Sequence, residues 1–353
     1  MSKNANLSKA KNAKNDEFYT RLGDIEKELN EYDPAVFKDK TIFCNCDDPA
    51  SSNFWVFFHI NFHRLGLKKL TATHYNIDGS SSYEMEYDGQ DPKDDMDFSK
   101  GTKIPLKGNG DFRSSECIKL LKQSDLVVTN PPFSLAREYV AELEKYNKQF
   151  IIIGDLNWIT YKEIFPLIKE NKIWLGYTKV KEFQQRDGTY KKFGNKLWFT
   201  NVDTTKRHRK LETVYRWCKR KEKYPDLYPK YDNYDALDVD KTADIPLDYS
   251  GNMGVPITFL DKYSPAQFEI IGLAAGNSRK TKLYGEIKYV SNKADRGGCG
   301  VVNSKRKYAR ILIRNKHPED YMNDAGNGDD LSKIKDYNFN HMPGSINLPA
   351  SVF

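Results

Sequence analysis

Four consecutive residues, Asn130-Pro131-Pro132-Phe133, carry the most specific chemistry in this sequence. An exocyclic amine on an aromatic base, such as N6 of adenine, is a weak nucleophile because its lone pair is delocalised into the ring. To attack a methyl donor it needs an acceptor for each N–H group and a fixed orientation. The Asn130 side-chain oxygen and the Pro131 carbonyl can supply those two acceptors. Successive prolines fix φ, so the acceptors are held in place before the substrate arrives. Phe133 offers a flat face on which an extruded base can stack. The methyl group would come from the sulfonium of a cofactor, which leaves the protein to position and solvate. The plain alternative is a Pro-Pro turn that merely ends a strand.

These residues need a strand in front of them and a helix behind. Residues 125–129 form a short apolar strand running directly into the motif, and Ser134 is placed to cap a helix to about Tyr146. Upstream, residues 40–46 read as a buried strand. Ser51 or Ser52 can cap an apolar helix over 53–65 that Gly66 ends, and residues 69–75 read as a second strand. An acidic loop containing Gly and Ser is expected over 76–110, then a helix over 114–122. Downstream, residues 149–153 are a strand. Thr160 and Glu163 form a capping box for a helix through Glu170, which Pro166 would bend. Residues 173–176 and 196–201 add two strands. Such alternation predicts an α/β sheet, mostly parallel, with helices on both faces. Ligands then bind at the carboxyl ends of the strands, which selects residues 45–49, 75–78 and 130–133. After Val202 the alternation fades, and much irregular structure is expected.

The 353-residue chain is 39% hydrophobic and 30% charged, enough for one sizeable core and a smaller lobe. No stretch approaches the length of a membrane helix, and the Lys/Asn-rich start lacks the apolar run of a signal peptide. A cytoplasmic, membrane-free protein is expected. Five scattered cysteines argue against a disulfide framework. The Cys44/Cys46 pair and His59/His63 have no further ligands at metal-binding spacing, so no metal is expected. Net charge is +7, but residues 179–223 hold 15 Lys/Arg against 5 Asp/Glu, a surplus of +10 that exceeds the whole chain's. That block suits a polyanion partner. Within it, Lys206, Arg207, His208, Arg209 and Lys210, with Arg216, Lys219, Arg220 and Lys221, are the candidates for phosphate contacts. A solvated surface is the alternative.

Several strings show a resemblance: Asn15-Asp16-Glu17-Phe18-Tyr19-Thr20, Cys44-Asn45-Cys46-Asp47-Asp48-Pro49, residues 110–116 and residues 127–134. With further stretches to about residue 315, the sequence resembles the EcoRI-type family of adenine-specific DNA methyltransferases. The resemblance implies a Rossmann-like S-adenosylmethionine-dependent methyltransferase sheet with a smaller, irregular DNA-recognition lobe. It also implies S-adenosylmethionine as cofactor and duplex DNA with a flipped-out adenine as substrate. Phe18, Tyr19 and Thr20 look like the family's N-terminal cofactor segment. Asn45, Asp47, Asp48 and Pro49 end the first strand, where a carboxylate can meet the donor's ammonium group. The Gly-x-Gly loop usual in methyltransferases is absent here, as it is in the EcoRI-type family. Asp111 and Phe112 look like the adenine-pocket pair, and Asp78 is the acid nearest the expected ribose position. Residues 228–256 resemble the family's recognition region, whose Asn, Asp, Lys and Tyr side chains could read base edges.

The resulting reading is a methyltransferase catalytic domain over 1–202 and a DNA-recognition lobe with C-terminal segment over 203–353. Its activity would be adenine-N6 methylation in a type II restriction–modification system at a GAATTC-like site. A cognate restriction endonuclease would act on the same site without direct contact. Three alternatives use the same residues: a non-catalytic DNA-binding protein on a methyltransferase fold, an RNA adenine methyltransferase, and a protein glutamine methyltransferase. A nuclease would need clustered metal-binding carboxylates beside a lysine, and the sequence shows none.

Overall fold

The structure is a computed structural model that describes residues 19–46, 48–76, 79–90, 101–185, 188–217, 227–276, 283–284 and 295–319. Its first nine strands are β1 (Tyr19–Thr20), β2 (Thr41–Cys44), β3 (Lys69–Thr73), β4 (Tyr83–Tyr87), β5 (Thr102–Pro105), β6 (Leu126–Thr129), β7 (Gln149–Asp155), β8 (Trp174–Gln184) and β9 (Tyr190–Thr200). They form one mixed sheet in the order β1-β8-β9-β7-β6-β2-β3-β4-β5. The four central strands, β7, β6, β2 and β3, are parallel. The flanking strands pair antiparallel, so the sheet is mixed and not mostly parallel as the alternation suggests.

Side-chain alternation explains why the centre reads as continuous apolar runs. Phe43, Val127, Phe150 and Ile152 enter the core on one face. Ile42, Cys44, Leu126, Val128, Ile151 and Ile153 enter the core on the other. A strand covered on both faces buries every residue, so no polar position interrupts it.

The helices among the described residues are α1 (Leu22–Leu29), α2 (Asn53–Ile60), α3 (Phe62–Leu65), α4 (Ser115–Gln123), α5 (Ala136–Lys145) and α6 (Phe165–Lys169). None is long and apolar enough to cross a membrane. Ser52 and Ser114 cap α2 and α4 through their hydroxyls. Gly66 closes α3 at φ 63°, the left-handed conformation glycine adopts freely.

Four local expectations need correction. The helix over 53–65 is two helices that meet at Asn61, whose backbone (φ −94°, ψ 7°) leaves the helical region and whose side chain donates to the Phe57 carbonyl (2.8 Å). The acidic loop contains β4 and β5, which extend the sheet; Tyr83, Met85 and Tyr87 alternate with acids, and that pattern is a strand's. Ser134 caps nothing, because Phe133–Leu135 form a 3-10 turn before α5 begins at Ala136. Thr160 donates to the Asn157 carbonyl (2.8 Å) and belongs to a separate turn, while Pro166 sits in the first turn of α6, where its missing N–H is harmless.

Residues after 202 are more regular than their composition suggests. Strands β10 (Leu237–Asp238), β11 (Asn252–Pro256), β12 (Phe268–Ala274) and β15 (Arg310–Asn315) form a second sheet in the order β10-β11-β15-β12. A hairpin, β13 (Val301–Val302) with β14 (Lys305–Arg306), precedes β15. Met253, Val255, Phe259, Ile311 and Ile313 share one core cluster with Leu175 and Phe199 of the first sheet. The Lys169 ammonium donates to the Ile271 carbonyl (2.8 Å) across the same boundary.

Candidate active site

Strand β2 has β3 on one side and β6 on the other, all parallel. The chain leaves β2 for β3 and returns later to β6, so the crevice opens at their carboxyl ends. Asn45 ends β2 and Asn130 ends β6. Asn45 is buried: Tyr139 of α5 donates to its side-chain oxygen, and the Thr73 hydroxyl donates to its carbonyl (3.1 Å). One asparagine thereby ties together β2, β3 and α5 at the base of the crevice.

Asp48 and Asp111 reach this end of the sheet from the loop after β2 and from the turn before α4. Asp48 accepts from the Tyr83 hydroxyl (2.8 Å) and from the Ala50 N–H (3.1 Å), and its other oxygen lies 4.0 Å from His74 Nε2. Tyr83 and His74 stack at 5.1 Å. Burial, with Asp48 as acceptor, pushes the Tyr83 hydroxyl well above its usual range, so it remains a proton donor. Asn76 N–H donates to the Asn109 carbonyl (2.8 Å), drawing the turn before α4 against β3. Gly110 is required there: its φ is 81°, and a Cβ would lie 1.9 Å from the His74 carbonyl oxygen. Asp111 follows, held by Arg113 Nε (2.9 Å) and Nη2 (2.6 Å). These charge-assisted bonds keep its carboxyl below the usual carboxylate range. Phe112 is buried with its ring at 5.1 Å from Tyr139, the residue that holds Asn45. Pro49 is buried beside Asp48.

Tyr19 and Thr20 form β1, and the Thr20 carbonyl accepts from Asn53 Nδ2 (2.7 Å), which draws this segment to the start of α2. The buried Thr20 hydroxyl has no hydrogen-bond partner among the described residues. Phe18, Asp47 and Asp78 lie outside the described residues.

On the β6 side, Pro131 is buried, and Asn130, Pro132 and Phe133 are partly so. The Phe133 ring packs edge-on to Trp158 (6.3 Å) and Phe183 (6.1 Å). The Lys196 ammonium sits 4.0 Å from its centroid, within range of a cation–π contact. Lys196 is buried and paired with Asp155 at 2.7 Å, and the two are register partners on β9 and β7. Asp155 also accepts from Asn195 Nδ2 (2.8 Å) and the Asn157 N–H (2.8 Å). Register shifts in the β8–β9 ribbon let it bend, and its end carries Phe183 and Phe193 beside this group. Phe183 is also the register partner of Thr20. The sequence reading missed Lys196, Asp155, Phe183 and Trp158. The available signal was a lone lysine abutting the Leu197-Trp198-Phe199 run.

The basic block divides in two. The Lys206 ammonium is bound by Asp261 (2.5 Å) and the Gly176 carbonyl (2.9 Å). Arg207 stacks on Trp174 at 3.7 Å, with only 15% of its side chain exposed. Arg216 pairs with Glu319 (3.5 Å). Arg209 and Lys210 are exposed. Lys219, Arg220 and Lys221 lie outside the described residues. In the expected recognition segment, Tyr228, Tyr231, Asn233 and Tyr234 are buried and build the second lobe instead of facing solvent.

The family described as adenine-specific methyltransferase EcoRI matches residues 6–316. The type II methyltransferase M.EcoRI of Escherichia coli is 46% identical, over 90% of this chain and 99% of that protein. Type II methyltransferases M.MpnI of Mycoplasma pneumoniae and M.MgeORF184P of Mycoplasma genitalium are 40% and 39% identical, over 88% and 87% of this chain and 98% of each relative. No solved structure matches. The chain belongs to the EcoRI family of adenine-specific methyltransferases.

Proposed function

We propose that this enzyme transfers a methyl group from S-adenosylmethionine to N6 of an adenine flipped out of duplex DNA. In this reading it is the modification enzyme of a type II restriction–modification system with a GAATTC-like site. The observation that carries the reading is the position of Asn130–Phe133 at the carboxyl end of β6, beside Asn45 at the end of its parallel neighbour β2.

The residues present suit the cofactor. Its ammonium group and hydroxyls call for acceptors, and Asp48 and Asp111 offer carboxylates on adjoining loops. The buried Thr20 hydroxyl, without a partner among the described residues, offers a further polar group. When bound, S-adenosylmethionine supplies an electrophilic methyl group on a sulfonium. The rest is done by this chain. Asn130 accepts one N–H of the target amine and the Pro131 carbonyl accepts the other, turning the nitrogen toward the donor. Phe133 stacks on the base, and Lys196 holds the ring through its ammonium. Proximity and preorganised acceptors account for the acceleration, without a protein nucleophile.

Arg209 and Lys210 are the exposed members of the basic block that would meet DNA phosphates, while Lys206 and Arg207 hold the block to the protein. Sequencing methylated bases in DNA from cells expressing the enzyme tests the proposal. Adenine-N6 methylation confined to one short sequence is expected, and unmodified DNA would refute it.

A further inference from the structure

Tyr228, Tyr231, Asn233 and Tyr234 of the segment that resembles a recognition region are buried, while Asp232 and Asn233 of the same segment hold an exposed element, the hairpin of β13 and β14. Val301 pairs with Arg306 and Val302 with Lys305, leaving a two-residue loop, Asn303-Ser304, with φ of 48° and 61°. Positive φ at both positions is the tight hairpin geometry that matches strand twist. The Asp232 carboxylate fastens the loop, accepting from the Asn303 (3.2 Å) and Ser304 (2.8 Å) N–H groups. Asn233, fully buried, bonds Val301 N–H (3.0 Å) and the Cys299 carbonyl (2.8 Å). Below the hairpin, Lys307 pairs with Asp238 (2.7 Å). The base is therefore rigid, while Asn303, Ser304, Lys305 and Arg306 all face solvent. Neither Lys305 nor Arg306 forms an ion pair among the described residues.

A chain of contacts links the segment that follows this hairpin to the chemistry. Tyr308, 68% exposed, donates its hydroxyl to Asn157 (3.3 Å). The Asn157 N–H donates to Asp155, whose carboxylate holds Lys196 against Phe133. A duplex that delivers an extruded base to Phe133 must pass close to this tip. A two-stranded ribbon fits the major groove, where Asn and Arg side chains match the edges of adenine and guanine.

We infer that the hairpin tip enters a DNA groove beside the flipped adenine, and that Asn303 and Arg306 read base edges there. This rests on the proposed methyltransferase reading and names the surface that would select its site. The test uses Asn303→Gly, which tolerates the positive φ, and Arg306→Ala. Binding is measured to a short duplex carrying the sequence the wild-type enzyme methylates, and to its scrambled counterpart, at several salt concentrations. Each variant should lose ~10- to 100-fold of its preference for the methylated sequence. Melting temperature and S-adenosylmethionine affinity should stay unchanged. An unaltered preference in both variants would overturn the inference. So would equal losses on both duplexes with a flatter salt dependence, which would reduce the tip to a phosphate contact. Either outcome leaves methylation by the wild-type enzyme intact, whereas a wild-type protein that neither binds nor methylates DNA would overturn the proposed function and this inference together.

Discussion

Lys196 places its ammonium 4.0 Å from the centre of the Phe133 ring while Asp155, its register partner across β7 and β9, holds it at 2.7 Å. A buried charge is costly unless paired, and here the pair also grips an aromatic ring. The aromatic of the Asn-Pro-Pro-Phe motif is thereby fixed from below by electrostatics as well as from the sides by Trp158 and Phe183.

Lys196→Met should slow methyl transfer through Phe133 while leaving S-adenosylmethionine affinity intact. It should also cost on the order of 3 kcal/mol of stability, because Asp155 loses its countercharge. A double-mutant cycle with Phe133→Leu, read in single-turnover rates, should give a coupling of about 0.5–2 kcal/mol. Strictly additive rates would mean that the lysine acts on folding alone.

Asn130→Ala removes one acceptor for the target amine. Turnover should fall by roughly 10²- to 10³-fold, the scale for losing one preorganised polar contact at a reacting centre. Calorimetric affinity for the donor should hardly change. Near-normal turnover would exclude the Asn130 role.

Asp48→Ala and Asp111→Ala should each weaken donor binding by ~1–3 kcal/mol, the range for a charged hydrogen bond. Tyr83→Phe, which removes one of the two hydrogen bonds to Asp48 Oδ1, should have a smaller effect on the same calorimetric titration.

Arg113 holds the Asp111 carboxyl below its usual range, so the stability from this pair is fully present above the unfolded carboxylate's pKa. It is lost as pH falls through the lower, folded value. Thermal melts of the wild-type enzyme and Asp111→Asn should therefore differ by a constant amount above about pH 5. That gap should narrow as pH drops below about 4. A gap that widened on acidification would reverse the assigned sign.

Arg209→Ala with Lys210→Ala should flatten the salt dependence of DNA binding by up to about 2 units of log–log slope. Lys206→Ala and Arg207→Ala should instead lower the melting temperature, because Lys206 joins β8 to Asp261 and the largely buried Arg207 packs on Trp174. A salt slope moved only by the second pair would invert this assignment.

Much was determined by the sequence alone. The stretches 40–46, 125–129 and 149–153 read as strands, and they hold β2, β6 and β7, whose central residues are buried on both faces. The Asn-Pro-Pro-Phe string follows one of them directly, so its place at a carboxyl end needs no tertiary information. The helix stop at Gly66 and the cap at Ser51 or Ser52 were equally legible, because each is decided within a few residues. Where local signals competed, reading failed: Ser134 and Thr160 have capping chemistry, but neighbouring turns used the chain first.

Only the tertiary structure decided which polar side chains are spent internally and which face outward. Composition counts Lys206 and Arg207 with Arg209 and Lys210, yet an aspartate 55 residues away along the chain claims the first and Trp174 the second. Tyr231 and Asn233 look like reading residues until the core that surrounds them is known. Lys196 shows in the sequence only as a lysine abutting an apolar run, because its partners Asp155 and Phe133 arrive from β7 and from the turn after β6. Charge and hydrogen-bonding capacity belong to a residue, but burial and pairing belong to contacts between distant segments, and these form only when the sheet is assembled.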